Sequence, residues 1–127
     1  MEAGELGRVL EPGETLFSQG DPGDCMFVIQ EGRVEIVIDQ GGRPIKIADR
    51  AAGECVGEMA LFEREVRMAT VRAMERTRVL TVDRKNLLQR IHEDPSLGYR
   101  LIQTLSQRLR QLTHEVVRLK RTGQAAD

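Results

Sequence analysis

The sequence predicts a mainly β protein with flanking helices: an antiparallel jelly-roll β-barrel or small sandwich, then a hinge helix and a long C-terminal helix. Three observations carry that prediction. Ten of the 12 glycines fall in the first 57 positions. Between them lie short apolar runs of period two, the pattern of half-buried strands. From Ile102 onward the apolar spacing changes to alternating steps of 3 and 4, the period of a helix seam.

The elements follow in chain order. Leu16-Phe17 precedes a turn cluster, Gly20-Asp21-Pro22-Gly23-Asp24. Gly20, Gly23 and Gly32 are expected to adopt turn conformations that a Cβ disfavours. Met26-Phe27-Val28-Ile29 reads as an apolar strand closed by Glu31-Gly32. Val34, Ile36 and Ile38 alternate along the next strand, Gly41-Gly42 signals a hairpin, and Ile45 and Ile47 alternate on the return. Met68 to Ala73 and Val79 to Val82 are further strands, so six to eight are expected. Phe17, Phe27, Phe62 and Tyr99 read as core. Asp83 suits the N-cap of a helix carrying Leu87, Leu88 and Ile91, and Pro95 suits the first turn of the next. There, Ile102, Leu109 and Val116 take heptad position a, and Leu105, Leu112 and Leu119 take d. β-Branched residues at two a positions and Leu at every d favour a parallel two-stranded coil. Glu115 at g and Lys120 at the following e are placed to pair across it. Thr122 to Asp127 reads as a frayed tail.

The chain has 127 residues, 19 basic and 20 acidic, for a net charge of −1. That length fits one compact domain with a real core. No run approaches the ~18 apolar residues of a spanning helix, so a membrane is not an expected partner. Met1-Glu2-Ala3-Gly4-Glu5 lacks the start of a secretory leader, and Cys25 and Cys55 make no disulfide framework. The expected setting is therefore a reducing cytoplasm. Residues 95–127 carry six basic and two acidic groups, net +4. That complements a helix dipole but is too little for nucleic-acid binding by this chain alone. His92 and His114 stand alone, so no metal site is expected. No Ser, Cys or Lys sits in a recognisable nucleophile context, which argues against an enzyme.

One segment carries chemistry. Val56-Gly57-Glu58-Met59-Ala60-Leu61-Phe62 interrupts the strand pattern, and Arg67-Met68-Ala69-Thr70-Val71 follows. A Gly before a short helical turn leaves free backbone N–H groups that attract an anion. An Arg opening the next strand would offer a planar fork for two phosphate oxygens. The Glu58 carboxylate would repel a phosphate and suits a neutral hydroxyl such as a ribose 2′-OH. Phosphate and ribose hydroxyl side by side describe a nucleotide with a compact phosphate.

These residues resemble the phosphate-binding cassette of cyclic-nucleotide-binding domains, with ten positions from Gly57 to Arg67. Gln19-Gly20-Asp21-Pro22-Gly23-Asp24-Cys25-Met26-Phe27-Val28-Ile29 and Glu31-Gly32-Arg33-Val34 resemble the family's other signature. The two helices around Pro95 resemble the hinge and dimer helix of its bacterial catabolite-activator branch. The likeness covers roughly residues 6–120. It implies a cyclic-nucleotide sensor in which Glu58 accepts from the ribose 2′-OH and Arg67 pairs with the cyclic phosphate. Gly57, Met59, Ala60 and Ala69 would provide backbone contacts and close approach. Met68 stands where members preferring cGMP often carry Thr or Ser, which implies cAMP ahead of cGMP. Thr113, next to Leu112, would meet the base. The implied organisation is a nucleotide-binding barrel and hinge helix over 6–94, a dimerisation helix over 95–121 and a tail over 122–127. Occupancy would move the hinge at Asp83 to Glu93 and signal to an effector protein. The alternative is the sensor part of a catabolite-activator-type transcription regulator whose DNA-binding part is absent from this chain.

Overall fold

The computed structural model describes residues 7–63 and 66–126, the last three by backbone alone. Eight strands form in order: β1 (Gly7–Leu10), β2 (Thr15–Phe17), β3 (Cys25–Glu31), β4 (Arg33–Gln40), β5 (Arg43–Ala51), β6 (Cys55–Val56), β7 (Thr70–Ala73) and β8 (Thr77–Asp83). Helix α1 (Glu58–Glu63) lies between β6 and β7, and α2 (Arg84–Glu93) and α3 (Pro95–Ala126) follow β8. The chain divides into two compact units, one ending at Leu87 and the other beginning at Leu88.

The strands make two four-stranded antiparallel sheets, ordered β1-β8-β3-β6 and β2-β7-β4-β5. Alternation between the sheets along the chain gives the jelly-roll order, and the two sheets face each other as an open sandwich rather than a closed barrel. Each sheet points alternate apolar residues inward. Leu10, Phe27, Ile29, Val56 and Val79 from one sheet meet Leu16, Val34, Val71 and Ala73 from the other in a single buried cluster. Gly41 and Gly42, with φ of 64° and 84°, form the two-residue hairpin turn between β4 and β5, pairing Gln40 with Arg43.

Several expectations need correction. Ile45 and Ile47 are exposed, not half-buried, because β5 is a sheet edge and the pairing shifts register between Ile36 and Val37. Phe62 and Tyr99 are exposed as well, whereas Phe27 is core and Phe17 is half-buried beside it. Met68 and Ala69 precede β7 rather than begin it. Strands β1 and β6, of four and two residues, carry too little alternation to be read from sequence.

The helix starts follow their caps. The Asn86 N–H donates to Asp83 Oδ1 at 2.7 Å, at the third residue of α2. Asp94 caps α3, accepting from the Ser96 N–H at 3.2 Å and from its hydroxyl, with Pro95 at the first helical position. Those Ser96 hydrogen bonds lower the Asp94 pKa below its ordinary 3.8. Helix α3 extends to Ala126, within the segment expected to fray, and Asp127 lies outside the described residues. Its 32 residues span about 48 Å.

Candidate functional site

Gly57 ends β6 and begins the site. Its φ of +79° is open to glycine, and it turns the chain into α1, whose Ala60 and Leu61 are buried. A Cβ at Gly57 would sit 2.7 Å from Arg67 Nη1 and 3.2 Å from Phe17 Cε2. Glycine here therefore gives both the turn and room for two side chains.

The turn cluster after β2 holds Arg67 by its main chain. The Arg67 N–H donates to the Asp21 carbonyl at 2.7 Å, and the Gly20 N–H donates to the Arg67 carbonyl at 2.8 Å. Gln19 anchors the same turn, its N–H donating to Thr70 Oγ1 at 3.0 Å. Its side chain bridges both main-chain groups of Asp39, at 2.7 and 3.1 Å. The two sequence signatures, some 40 residues apart, thus meet at one backbone clasp.

The Arg67 side chain runs inward and is only 5% exposed. Nη1 donates to the Gly57 carbonyl at 3.1 Å, and Nη2 lies 3.7 Å from Cys25 Sγ. Cζ stands 4.2 Å from the centre of the Phe17 ring and 5.7 Å from that of Phe27. The two rings are stacked with centres 5.9 Å apart. Nε is buried without a hydrogen-bond partner. Among the described residues Arg67 makes no ion pair. A buried cation with an open donor is costly unless an anion completes it.

Arg67 lines a cleft together with Gly57, Glu58, Met59, Ala60, Met68 and Ala69, seven residues singled out from the sequence. Phe17, Ile36, Val66 and Val71 complete the lining. In the sequence, Phe17 reads as core, Ile36 as a strand residue and Val71 as part of the cassette segment without a contact role. Ile36 lies on β4, Val71 on β7 and Val66 just before Arg67. Met59, Val66 and Met68 form an exposed apolar rim.

Taken together, the cleft offers one cationic fork, one carboxylate-bearing residue and a largely apolar wall. The comparison with known families agrees with that chemistry: residues 7–94 match the model of the cyclic nucleotide-binding domain. This chain belongs to the cyclic nucleotide-binding domain family. A candidate potassium channel protein of Rhodopseudomonas palustris is 37% identical to this domain over 121 residues, covering 93% of this chain and 28% of its own. The cyclic AMP receptor protein of Thermus thermophilus is 31% identical over 110 residues, 86% of this chain and 51% of its own. The crystal structure of the Thermus thermophilus catabolite activator protein superposes with a TM-score of 0.81 at 30% identity, covering 90% of this chain and 54% of that one. The chain thus spans about half or less of the curated relatives described.

Thr113 and the heptad seam belong to the second unit. Thr113 is exposed, and its hydroxyl donates to the Leu109 carbonyl at 2.8 Å. Ile102, Leu109, Leu112, Val116 and Leu119 are 50–66% exposed, and Leu105 is half-buried. Glu115, expected to pair across a dimer, is engaged by Arg118 of its own helix. Gly98 lies against Ile91, 3.4 Å from a built Cβ, which brings α3 close to the end of α2. Cys25 and Cys55 are free thiols. Among the described residues no cluster of metal-binding side chains occurs, and no helix is long and apolar enough to cross a membrane.

Proposed function

We propose that this domain is a cytoplasmic regulatory module that binds cAMP ahead of cGMP and passes its occupied state to an effector protein through α3. One observation carries the reading: a guanidinium buried over two aromatic rings, its Nε without a hydrogen-bond partner, on a residue that lines a cleft. Arg67 takes the cyclic phosphate and Glu58 accepts from the ribose 2′-OH. Gly57, Met59, Ala60 and Ala69 allow close approach. The Met68 thioether has no proton to donate to guanine, which favours cAMP. Residues 6–94 act as the nucleotide-binding part and 95–121 as the dimerisation helix, with Thr113 meeting the base. The exposed seam from Ile102 to Leu119 supports a homodimer, since apolar side chains at that spacing gain by mutual burial. No catalytic role, metal, membrane or nucleic-acid contact is proposed for this chain.

A second reading has support in the match to half the length of the Thermus thermophilus cyclic AMP receptor protein. In it, the same sensor serves a catabolite-activator-type regulator, with α3 leading to a DNA-binding part. The binding chemistry is common to both readings. Calorimetric titration with cAMP and cGMP in parallel tests it. Tighter binding of cAMP is expected. Equal or tighter binding of cGMP removes the cAMP preference, and heat from neither removes the sensor function.

A further inference from the structure

Gly23 is a glycine whose identity its backbone does not explain. Gly20 and Gly32 have φ of +89° and +95°, where a Cβ is disfavoured, but Gly23 has no such left-handed φ. What a Cβ at Gly23 would meet is Arg67, at 2.3 Å from Nε, 2.5 Å from Cζ and 3.0 Å from Cδ. The turn that clasps the Arg67 main chain therefore also leaves a slot for its guanidinium. This replaces the expectation that Gly23 serves turn geometry.

Phe17 floors that slot. Its ring lies 4.2 Å from Cζ and also faces the space beside Gly57. The ring face compensates a buried cation without occupying any N–H. A carboxylate in its place would bind the donors and compete with a ligand anion. An aromatic floor and two absent methyl groups seat the guanidinium of a residue that lines the cleft, with its Nε buried and without a hydrogen-bond partner.

We propose that Gly23 and Phe17 are positioning residues for anion capture, seating the Arg67 guanidinium beside the cleft in the orientation from which it takes a ligand phosphate. The proposal rests on the cyclic-nucleotide reading of the cleft. It goes further in making affinity depend on a turn glycine outside the cleft lining and on the hold of the Phe17 ring on Arg67.

The test is a set of double-mutant cycles titrated with cAMP. Gly23→Ala and Phe17→Leu are made alone and in an Arg67→Gln background. Gly23→Ala should fold, since the atoms in its way are the far end of a flexible side chain. Each single substitution is expected to weaken binding about 3- to 30-fold, the range of a cation–aromatic contact. Phe17→Tyr, which keeps the ring face, should bind like wild type. In the Arg67→Gln background the same substitutions should change affinity less than about 2-fold. Equal losses in both backgrounds, or no loss in either, overturn the proposal. If wild type binds neither cAMP nor cGMP, the cyclic-nucleotide reading falls instead. The seat is then judged by the NMR signal of Arg67 Nε–H. Protection from water exchange in wild type that is lost in Gly23→Ala supports the seat, and no protection in wild type removes it.

Discussion

Replacing Arg67 by Met should stabilise the ligand-free domain and abolish its response to nucleotide. The side chain is 5% exposed, has no ion-pair partner among the described residues and leaves Nε unsatisfied. An unpaired buried donor costs about 1–3 kcal/mol, and removing a cation from water costs several more. Against this stand the hydrogen bond to the Gly57 carbonyl, about 1.5–3 kcal/mol, and the ring contacts, about 0.5–2 kcal/mol each. Met follows the same channel over Phe17 and keeps the backbone clasp to Asp21 and Gly20. Replacing buried charge by apolar groups has precedent for gains of about 1–4 kcal/mol, and about 1–3 kcal/mol is expected here. Nucleotide reverses the order, because cAMP at 100 times its dissociation constant stabilises wild type by about 2.7 kcal/mol and the variant hardly at all. Urea unfolding followed by circular dichroism, with and without cAMP, reads both effects. A ligand-free Arg67→Met domain less stable than wild type by more than about 1 kcal/mol would refute the reasoning and make Arg67 a structural cation.

Other predictions concern the remaining parts. Glu58→Gln should weaken cAMP binding less than loss of Arg67, since an amide oxygen still accepts. 2′-Deoxy-cAMP should bind wild type about 10- to 150-fold more weakly than cAMP by calorimetry, and equal affinities would detach Glu58 from the ribose. Leu109→Asp/Leu112→Asp places two carboxylates in the exposed seam. Sedimentation velocity should find this variant monomeric with its β-sandwich intact and wild type dimeric, whereas a monomeric wild type at tens of micromolar would contradict the seam. The Ser96 hydrogen bonds lower the Asp94 pKa, so its stabilisation of the α3 start is present above its ordinary 3.8 and lost as pH falls through the lowered value. Helicity at 222 nm should fall on acidification below pH about 4, by less in Asp94→Asn; identical acid profiles would separate Asp94 from the cap.

The parts legible in the sequence were those set by local rules. Alternation at Val34 and Ile36, the Gly41-Gly42 turn, the cap at Asp83 and the helix start at Pro95 each depend on a few neighbouring residues, whereas the Asp94 cap was not read. The cassette was legible too, because Gly57 and Arg67 are ten positions apart, with only α1 and a short connection between them. What was not legible depended on three-dimensional neighbours. Ile45 alternates like a half-buried residue, but a sheet edge leaves it outside. The role of Gly23 is invisible until Arg67 is seen to occupy the space of its missing side chain. Phe17 reads as core from its strand, and only the fold lays its ring under a guanidinium.

The central claim is that a cyclic nucleotide binds with its phosphate on Arg67. A crystal structure of the chain with cAMP tests it most directly. The account predicts a phosphate oxygen within about 2.7–3.2 Å of an Arg67 guanidinium nitrogen and the ribose 2′-OH within the same reach of Glu58. A nucleotide bound outside the cleft, or lying in it with its phosphate away from an unmoved Arg67, would contradict it.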